Sequence, residues 1–143
     1  MTGKHAIGAL DGLVIADFGR VLAGPYATML LGDLGAEVVK VERPGVGDDT
    51  RRWGAAVGRR RVELLPRRQS QQAADVAGSV RSRRTRGARR LVERADVVVE
   101  NFMPGTMDRL GLGYEEVRAI NPGIVYASIT GFGGHNDLRD TTC

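Results

Sequence analysis

The feature that most constrains the fold of this chain is the order of apolar runs and glycine turns in residues 10–54. Gly19 and the pair Gly24-Pro25 interrupt the apolar residues early, and Gly35 marks a plausible helix end. The pattern predicts a buried strand, a helix and a second strand, at residues 13–18, 26–34 and 37–42. A tight strand, helix and strand of this kind predicts a right-handed unit with two parallel strands. The cluster Asp48-Asp49-Thr50 then predicts the start of a short helix.

The stretch 91–133 continues this alternation. It predicts a strand, a helical turn, an amphipathic helix and a last strand, at residues 96–101, 106–110, 114–120 and 124–129. Asn121-Pro122 ends the helix, because the residue before a proline disfavours helical geometry. We therefore predict an α/β fold with a Rossmann-like, doubly wound and mostly parallel sheet, present here as a partial domain. Such sheets bind ligands beyond the carboxyl ends of their strands.

The segment 55–90 has a different composition from the rest of the chain. Residues 59–90 hold eleven arginines but only Glu63 and Asp75 as acids. This stretch therefore carries a net charge of +9, whereas the whole chain carries +4. It has no aromatic residue and few large aliphatic ones, and we expect it to be disordered if taken alone. The chain is thus divided into a first α/β part at 1–54, an irregular Arg-rich segment at 55–90 and a continuation at 91–143.

Charge and cysteine content exclude several classes of protein. Outside residues 59–90 the chain is acidic, with a charge of −5, so its basic character belongs to one segment. Cys143 is the single cysteine, which excludes an internal disulfide and fits a reduced cytoplasm. The N-terminus does not have the pattern of a secretory leader, and no apolar run approaches the length of a membrane span. We expect a cytoplasmic protein without a membrane partner.

Two long strings carry a resemblance to a known family: DFGRVLAGPYATMLLGDLGAEVVKVERPGVGDDTR and VVVENFMPGTMDRLGLGYEEVRAINPGIVYASITGFG. In their residues, order and separation they resemble the N-terminal portion of family III CoA-transferases, which include formyl-CoA and carnitine CoA-transferases and α-methylacyl-CoA racemases. The resemblance covers about two thirds of this chain but only about the first third of a typical member. It implies a CoA-binding N-terminal portion of an enzyme that transfers CoA between an acyl-CoA and a carboxylic acid, with a racemase fragment as the alternative.

The resemblance also implies which residues bind CoA. The positions that match CoA-contacting residues of the family are Val21, Arg43, Asn101, Phe102 and Arg109. Arginine suits this ligand, because its planar guanidinium matches phosphate oxygens and stacks on bases. Each residue also has a simpler interpretation: Arg43 as a solvated charge, Asn101 and Phe102 as a turn with an apolar anchor, and Arg109 as a surface residue. No GxGxxG or P-loop motif is present, so neither a dinucleotide nor ATP is predicted.

No catalytic residue and no metal site is predicted in the chain. In the family, as the resemblance implies, an Asp attacks the acyl-CoA thioester, and this Asp lies beyond the position of Cys143. The His and Asp pair of the racemases also lies downstream. His135 is not the matching histidine, and we assign no chemistry to Asp17 or Asp48. Family members form interlocked homodimers that need the C-terminal part, so we do not expect that dimer from these residues.

The Arg-rich segment leaves further hypotheses open. The family has an NRNKRS-like string there, and its absence fits either a compensated shift of reading frame or a divergent basic loop. A disrupted gene would give a product without activity. An Arg-rich arm that binds nucleic acid is a third class, but the segment lacks aromatic residues for base stacking, so we do not expect nucleic acid as a partner.

Overall fold

Four parallel strands form the sheet of this protein, and its carboxyl edge positions the candidate site. The computed structural model describes residues 8–43, 45–53, 80–133 and 137, with the side chains of all but 52, 53 and 80–85. The strands are β1 (Val14–Asp17), β2 (Glu37–Lys40), β3 (Val97–Glu100) and β4 (Val125–Ser128). They lie in the order β2-β1-β3-β4, with Ile15 opposite Val38 and Val97. The α/β fold with a parallel sheet is therefore confirmed.

Five helices connect the strands in the described part of the chain. They are α1 (Ala23–Asp33), α2 (Thr50–Trp53), α3 (Val80–Val92), α4 (Thr106–Arg109) and α5 (Tyr114–Ile120). Helix α1 begins three residues before the predicted start at Tyr26, because Pro25 in its first turn needs no hydrogen-bond acceptor for a backbone N–H. Helix α5 has the predicted bounds, and each strand is a residue or two shorter than predicted at its ends.

Both faces of the sheet are covered, as expected for parallel strands. Ala16 and Val98 face one core cluster, while Ile15 and Val99 face the other. The first cluster also contains Phe18, Val92, Ala95, Met107, Leu112, Val117 and Ile124. Alternate residues of one strand point to opposite faces, so the apolar runs of β1 and β3 supply both cores at once.

Helix α3 lies partly within the Arg-rich segment. It starts at Val80, inside the range 55–90 for which disorder is expected when the segment is taken alone. Arginine and alanine are good helix formers, and Ala88, Leu91 and Val92 anchor the last turns of this helix in the first core cluster. The Asn121 amide then donates to the carbonyls of Val92 and Ala95, at 3.3 and 2.8 Å. The rest of the segment, 55–79, lies outside the described residues, and so do His135 and Cys143.

Candidate functional site

The carboxyl ends of β1 and β3 are the place where a doubly wound sheet opens a ligand crevice. After β1 the chain proceeds through α1 to β2 on one side, and it later returns to β3 on the other side. Loops that leave neighbouring strands in opposite directions separate from each other and leave room between them. The β1–α1 turn (residues 18–22), Arg43 after β2 and Asn101 after β3 all lie at this edge.

Asn101 ties the β1–α1 turn to the end of β3. Its Oδ1 accepts the Arg20 N–H at 2.6 Å, and its Nδ2 donates to the Arg20 carbonyl at 2.9 Å. Within the same turn Gly19 and Gly24 are so close that a Cβ on Gly19 would lie 2.8 Å from the Gly24 Cα. Only glycine fits this approach. The amide oxygen and the amide nitrogen of Asn101 therefore both bind the turn.

A buried ion pair supports the base of the same turn. The Asp17 carboxylate is fully buried and accepts the Gly19 N–H at 2.7 Å, the Thr28 hydroxyl at 2.8 Å and the Lys40 ammonium at 3.1 Å. Lys40 also donates to the Gly19 carbonyl. A buried charge needs such partners to offset the loss of its hydration. Asp17 thus has a structural role at the base of the turn.

Val21 has the unusual backbone conformation of this edge. Its φ is 61°, and it is the one non-glycine residue with a positive φ in the part of the chain that the structure describes. For a β-branched residue this conformation costs about 1 to 3 kcal/mol. The Val21 N–H donates to the two oxygens of Asp48, at 3.1 Å and 3.3 Å. The turn is strained, and a side chain from a distant loop holds it.

The Asp48 carboxylate is itself buried and well satisfied. Besides Val21, it accepts the Thr50 backbone N–H and the Thr50 hydroxyl, each at 2.9 Å. Burial alone would raise its pKa, but the hydrogen bonds from Thr50 and Val21 and the charge of Lys40 together lower the pKa of Asp48 below its ordinary value. Asp48 is therefore ionised at neutral pH, and donors surround its charge.

A small cleft of about 50 Å³ lies between these loops. It is lined by Gly19, Arg20, Val41, Glu42, Arg43, Gly47, Asp48 and Phe102. The Arg20 guanidinium is paired with Asp49, and Glu42 accepts Nε and Nη2 of Arg51 at 2.8 and 2.6 Å. Arg43 is exposed and forms no ion pair with any residue that the structure describes. Its guanidinium can bind an anionic ligand without first breaking a salt bridge to any of these described residues.

A larger cleft of about 250 Å³ lies at the ends of β3 and β4. Glu100, Asp108, Tyr114, Tyr126 and Ser128 line it, together with Met103, Pro104, Gly105, Met107 and Gly113. The buried Glu100 carboxylate accepts the Phe102 N–H at 2.8 Å and the Ser128 hydroxyl. The Tyr126 hydroxyl donates to the Leu112 carbonyl at 3.1 Å, and burial raises the pKa of Tyr126. Among the described residues its wall has two carboxylates and no basic side chain, an arrangement that does not suit a phosphate group.

The structure brings together most of the residues that the sequence singled out. Arg43 and Phe102 line the small cleft, while Val21 and Asn101 adjoin it through their bonds to Asp48 and Arg20. Arg109 lies apart on α4, where its Nη2 donates to the Thr106 hydroxyl at 2.9 Å, and it lines neither cleft.

Sequence reasoning missed the contributions of Arg20, Lys40, Glu42 and Asp48 to this edge. The cluster Asp48-Asp49-Thr50 predicts only a loop or the start of a helix, and Thr50 is the local partner of the Asp48 carboxylate. Its bond to Val21, 27 residues away, has no local signal. The described residues contain no group of three or more metal-ligating side chains, and no described helix is long and apolar enough to cross a membrane.

Known proteins match the chain over nearly its whole length. The model of CoA-transferase family III matches residues 10–143, a range that includes the Arg-rich segment. Succinyl-CoA:glutarate CoA-transferase of Mus musculus is 49% identical over 126 residues, which are 87% of this chain and 28% of that protein. Acetyl-CoA:oxalate CoA-transferase of Acetobacter aceti is 43% identical over 130 residues, covering 88% of this chain and 32% of the relative.

Solved structures match in fold as well as in sequence. A hypothetical protein from Mycobacterium tuberculosis superposes with a TM-score of 0.82 at 36% identity, over 98% of this chain and 37% of the other. A CAIB/BAIF family protein from Brucella suis gives 0.77 at 41% identity, over 96% and 37%. The chain spans about a third of the length of the relatives it matches.

Proposed function

The chain belongs to CoA-transferase family III, and on that basis we propose that it is the CoA-binding N-terminal portion of an acyl-CoA transferase. Such an enzyme moves CoA from an acyl-CoA to a carboxylic acid. The observation that carries the proposal is the position of Arg43. It follows β2 at the carboxyl edge, lines the small cleft and has no anionic partner among the described side chains.

Arg43 is the proposed phosphate ligand. CoA carries a pyrophosphate and a 3′-phosphate, and a guanidinium can give two parallel N–H bonds to the oxygens of either group. Phe102, half-buried beside Arg43, offers an apolar surface to the nucleotide. Asn101 acts on the turn, because Arg20 occupies its amide. Arg109 is exposed on α4 and is proposed as a second cation for the same ligand, on the strength of the family resemblance.

We propose that the chemical step needs residues outside these 143. Asp17 and Asp48 are buried and have their oxygens occupied by donors, so neither is available as a nucleophile. The two relatives compared above are about three to four times as long as the matched region. Both are CoA-transferases by name, which favours a transferase over a racemase. A CoA ligand and a single cysteine fit a cytoplasmic location.

Calorimetric titration of the whole chain tests this function. We expect CoA to bind, and pantetheine, which lacks the nucleotide and its phosphates, to bind at least tenfold more weakly. A chain that binds both ligands equally, or neither, would contradict the proposal. Cooperative unfolding with a midpoint that rises with CoA concentration would exclude an unfolded product of a disrupted gene.

Replacing Arg43 by Ala should weaken CoA binding about tenfold, because hydrogen bonds to charged groups contribute about 1.5 to 3 kcal/mol. Arg118→Ala is the matched control, since Arg118 is also exposed but lies on α5 outside both clefts. The control should bind like the wild type. Equal affinities of wild type and Arg43→Ala would remove Arg43 from the site.

A further inference from the structure

The bond between Asp48 and Val21 joins two loops at the small cleft. Val21 has a left-handed backbone with a φ of 61°, which a β-branched side chain strongly disfavours. The neighbouring residues Gly19 and Arg20 line the cleft, so the conformation of the turn shapes its wall. Something must hold Val21 there, and its N–H donates to the Asp48 carboxylate at 3.1 Å.

Asp48 is well placed to act as this holder. Its Oδ1 accepts the Thr50 N–H and hydroxyl, both at 2.9 Å, which fixes the carboxylate plane. Its Oδ2 then accepts only the Val21 N–H. The side chain is 6% exposed, so water does not readily replace either set of bonds.

The charge of Asp48 is unexpected at a site for an anion. A carboxylate in the wall of the cleft that holds Arg43 would repel phosphate if it were poorly satisfied. Bonds from Val21 and Thr50 and the nearby Lys40 offset that charge. A carboxylate at this position is explained if it fixes the turn and does not contact the ligand.

We propose that Asp48 is a positioning residue whose carboxylate, by accepting the Val21 N–H, holds the β1–α1 turn in the left-handed conformation on which CoA binding depends. The inference rests on the function proposed above. The two possible roles of the Asp48 carboxylate predict opposite effects when its charge is removed. If it only repels the ligand, CoA affinity should rise, and if it positions the turn, CoA affinity should fall.

Asp48→Asn separates the two roles. If the amide oxygen stays on Thr50, the amide N–H₂ replaces Oδ2 and meets the Val21 N–H, donor against donor, which leaves Val21 only the longer contact of 3.3 Å to that oxygen. The opposite orientation loses the bonds from Thr50. Positioning therefore predicts about tenfold weaker CoA binding. Removal of a negative charge by itself predicts tighter binding. Affinity equal to or above wild type would overturn the proposal.

Asp49→Asn is the matched control for lost charge. Asp49 is the next residue, its side chain is 44% exposed, and it pairs with Arg20 in the cleft wall. This variant removes the same charge and the ion pair to Arg20 but leaves the bonds of the Val21 N–H intact. The freed Arg20 guanidinium adds a cation to the cleft wall, so the variant should bind CoA at least as tightly as the wild type. A tenfold loss in Asp49→Asn as well would count against a special role for Asp48.

Substitutions at Val21 test the mechanism by rescue. Glycine adopts a positive φ without strain, whereas alanine does not, and both remove the valine side chain. In the Asp48→Asn background, Val21→Gly should recover at least about threefold in CoA affinity relative to Val21→Ala. Equal affinities of the two double variants would overturn the proposal. If Asp48→Asn alone does not fold, the Val21→Gly background supplies the test: there Asp48→Asn should cost less than threefold, and a tenfold cost would overturn it.

Amide hydrogen exchange of the ligand-free chain keeps this inference separate from the proposed function. Exchange at Val21 should be about tenfold faster in Asp48→Asn and unchanged in Asp49→Asn. Unchanged exchange in Asp48→Asn would refute the holding contact. A wild-type chain that shows this exchange pattern but binds no CoA would refute the proposed function instead.

Discussion

The two clefts at the carboxyl edge of the sheet differ in size and in charge. The cleft at the ends of β3 and β4 is about five times larger, at about 250 Å³ against about 50 Å³, but Glu100 and Asp108 make it acidic. The smaller cleft at the ends of β1 and β2 contains Arg20 and Arg43 beside two carboxylates that already have partners: Glu42 is bonded to Arg51, and Asp48 is bonded to Val21 and Thr50. By volume alone the larger cleft would be the candidate ligand site, whereas the negative charge of a phosphate ligand favours the smaller cleft.

The internal bonding of each cleft explains this difference. In the larger cleft the Glu100 carboxylate is bonded to Phe102 and Ser128, and the Tyr126 hydroxyl is bonded to the Leu112 carbonyl. In the smaller cleft the network of Asp17 and Asp48 fixes the turn and leaves the guanidinium of Arg43 without a described acidic partner. The smaller cleft thus combines a guanidinium that has no described acidic partner with a turn held by buried carboxylates, which is the arrangement that the proposed CoA site needs.

The largest effect on stability and on CoA binding is expected from a side chain added at Gly19, in the wall of the smaller cleft. A Cβ at Gly19 would lie 2.8 Å from both the Gly24 Cα and Asp17 Oδ1, and backbone cannot move aside cheaply. Gly19→Ala should therefore lower the unfolding free energy by about 3 kcal/mol and abolish CoA binding. Urea unfolding and CoA titration measure the two effects.

Gly113→Ala is the counterpart in the larger cleft. There a Cβ would meet the carboxylates of Asp108 and Glu116, which are the ends of flexible side chains. We expect a cost under about 1 kcal/mol and unchanged CoA affinity. If Gly113→Ala weakened CoA binding as much as Gly19→Ala, the distinction between the clefts would fail.

A smaller effect is expected from Tyr126→Phe. The change removes the hydrogen bond to the Leu112 carbonyl and keeps the ring contact with Tyr114, whose centroid is 6.0 Å away. The unfolding free energy should fall by about 1 kcal/mol, with CoA affinity unchanged. Tyr114→Phe, at a ring that is 48% exposed, serves as the control and should cost less. Weaker CoA binding in Tyr126→Phe would bring the larger cleft into the site.

The smallest effect is a pH dependence that belongs to Asp48 in the smaller cleft. Hydrogen bonds and Lys40, acting against burial, lower its pKa in the folded state from the ordinary value of 3.8. A lowered folded pKa stabilises the protein above the unfolded pKa, and this stability is lost as the pH falls through the folded pKa. The difference in unfolding free energy between wild type and Asp48→Asn should thus be constant near neutral pH and shrink below 3.8. A difference that persists undiminished to pH 2 would contradict the assignment.

The fold could be predicted because its signals are local. The apolar runs of β1 and β3 are buried on both faces, and Asn121-Pro122 ends α5 as expected. The start of α3 at Val80 could not be predicted from the arginines alone, because Ala88, Leu91 and Val92 stabilise it through contacts with distant residues. Packing against the first core cluster therefore stabilises this helix more than its Arg-rich composition indicates.

The site could be predicted only in part. Arg43 and Phe102 follow strands, and topology carries such residues to one edge. The strain at Val21 and its bond to Asp48 depend on two loops 27 residues apart, and Asn101 bonds to Arg20 across 81 residues. Contacts of this kind exist only after folding. The CoA-binding roles of Val21, Arg43, Asn101, Phe102 and Arg109 stay predictions.

Mapping the CoA contact on the chain by NMR tests the central claim most directly. Amide shifts should be recorded for the whole chain with increasing CoA and with pantetheine as the reference ligand. We predict that the largest changes caused by CoA alone lie at Arg20, Val21, Arg43 and Phe102, around the smaller cleft. Changes concentrated at Met107, Tyr114 and Ser128 would place the ligand in the larger, acidic cleft and contradict the account.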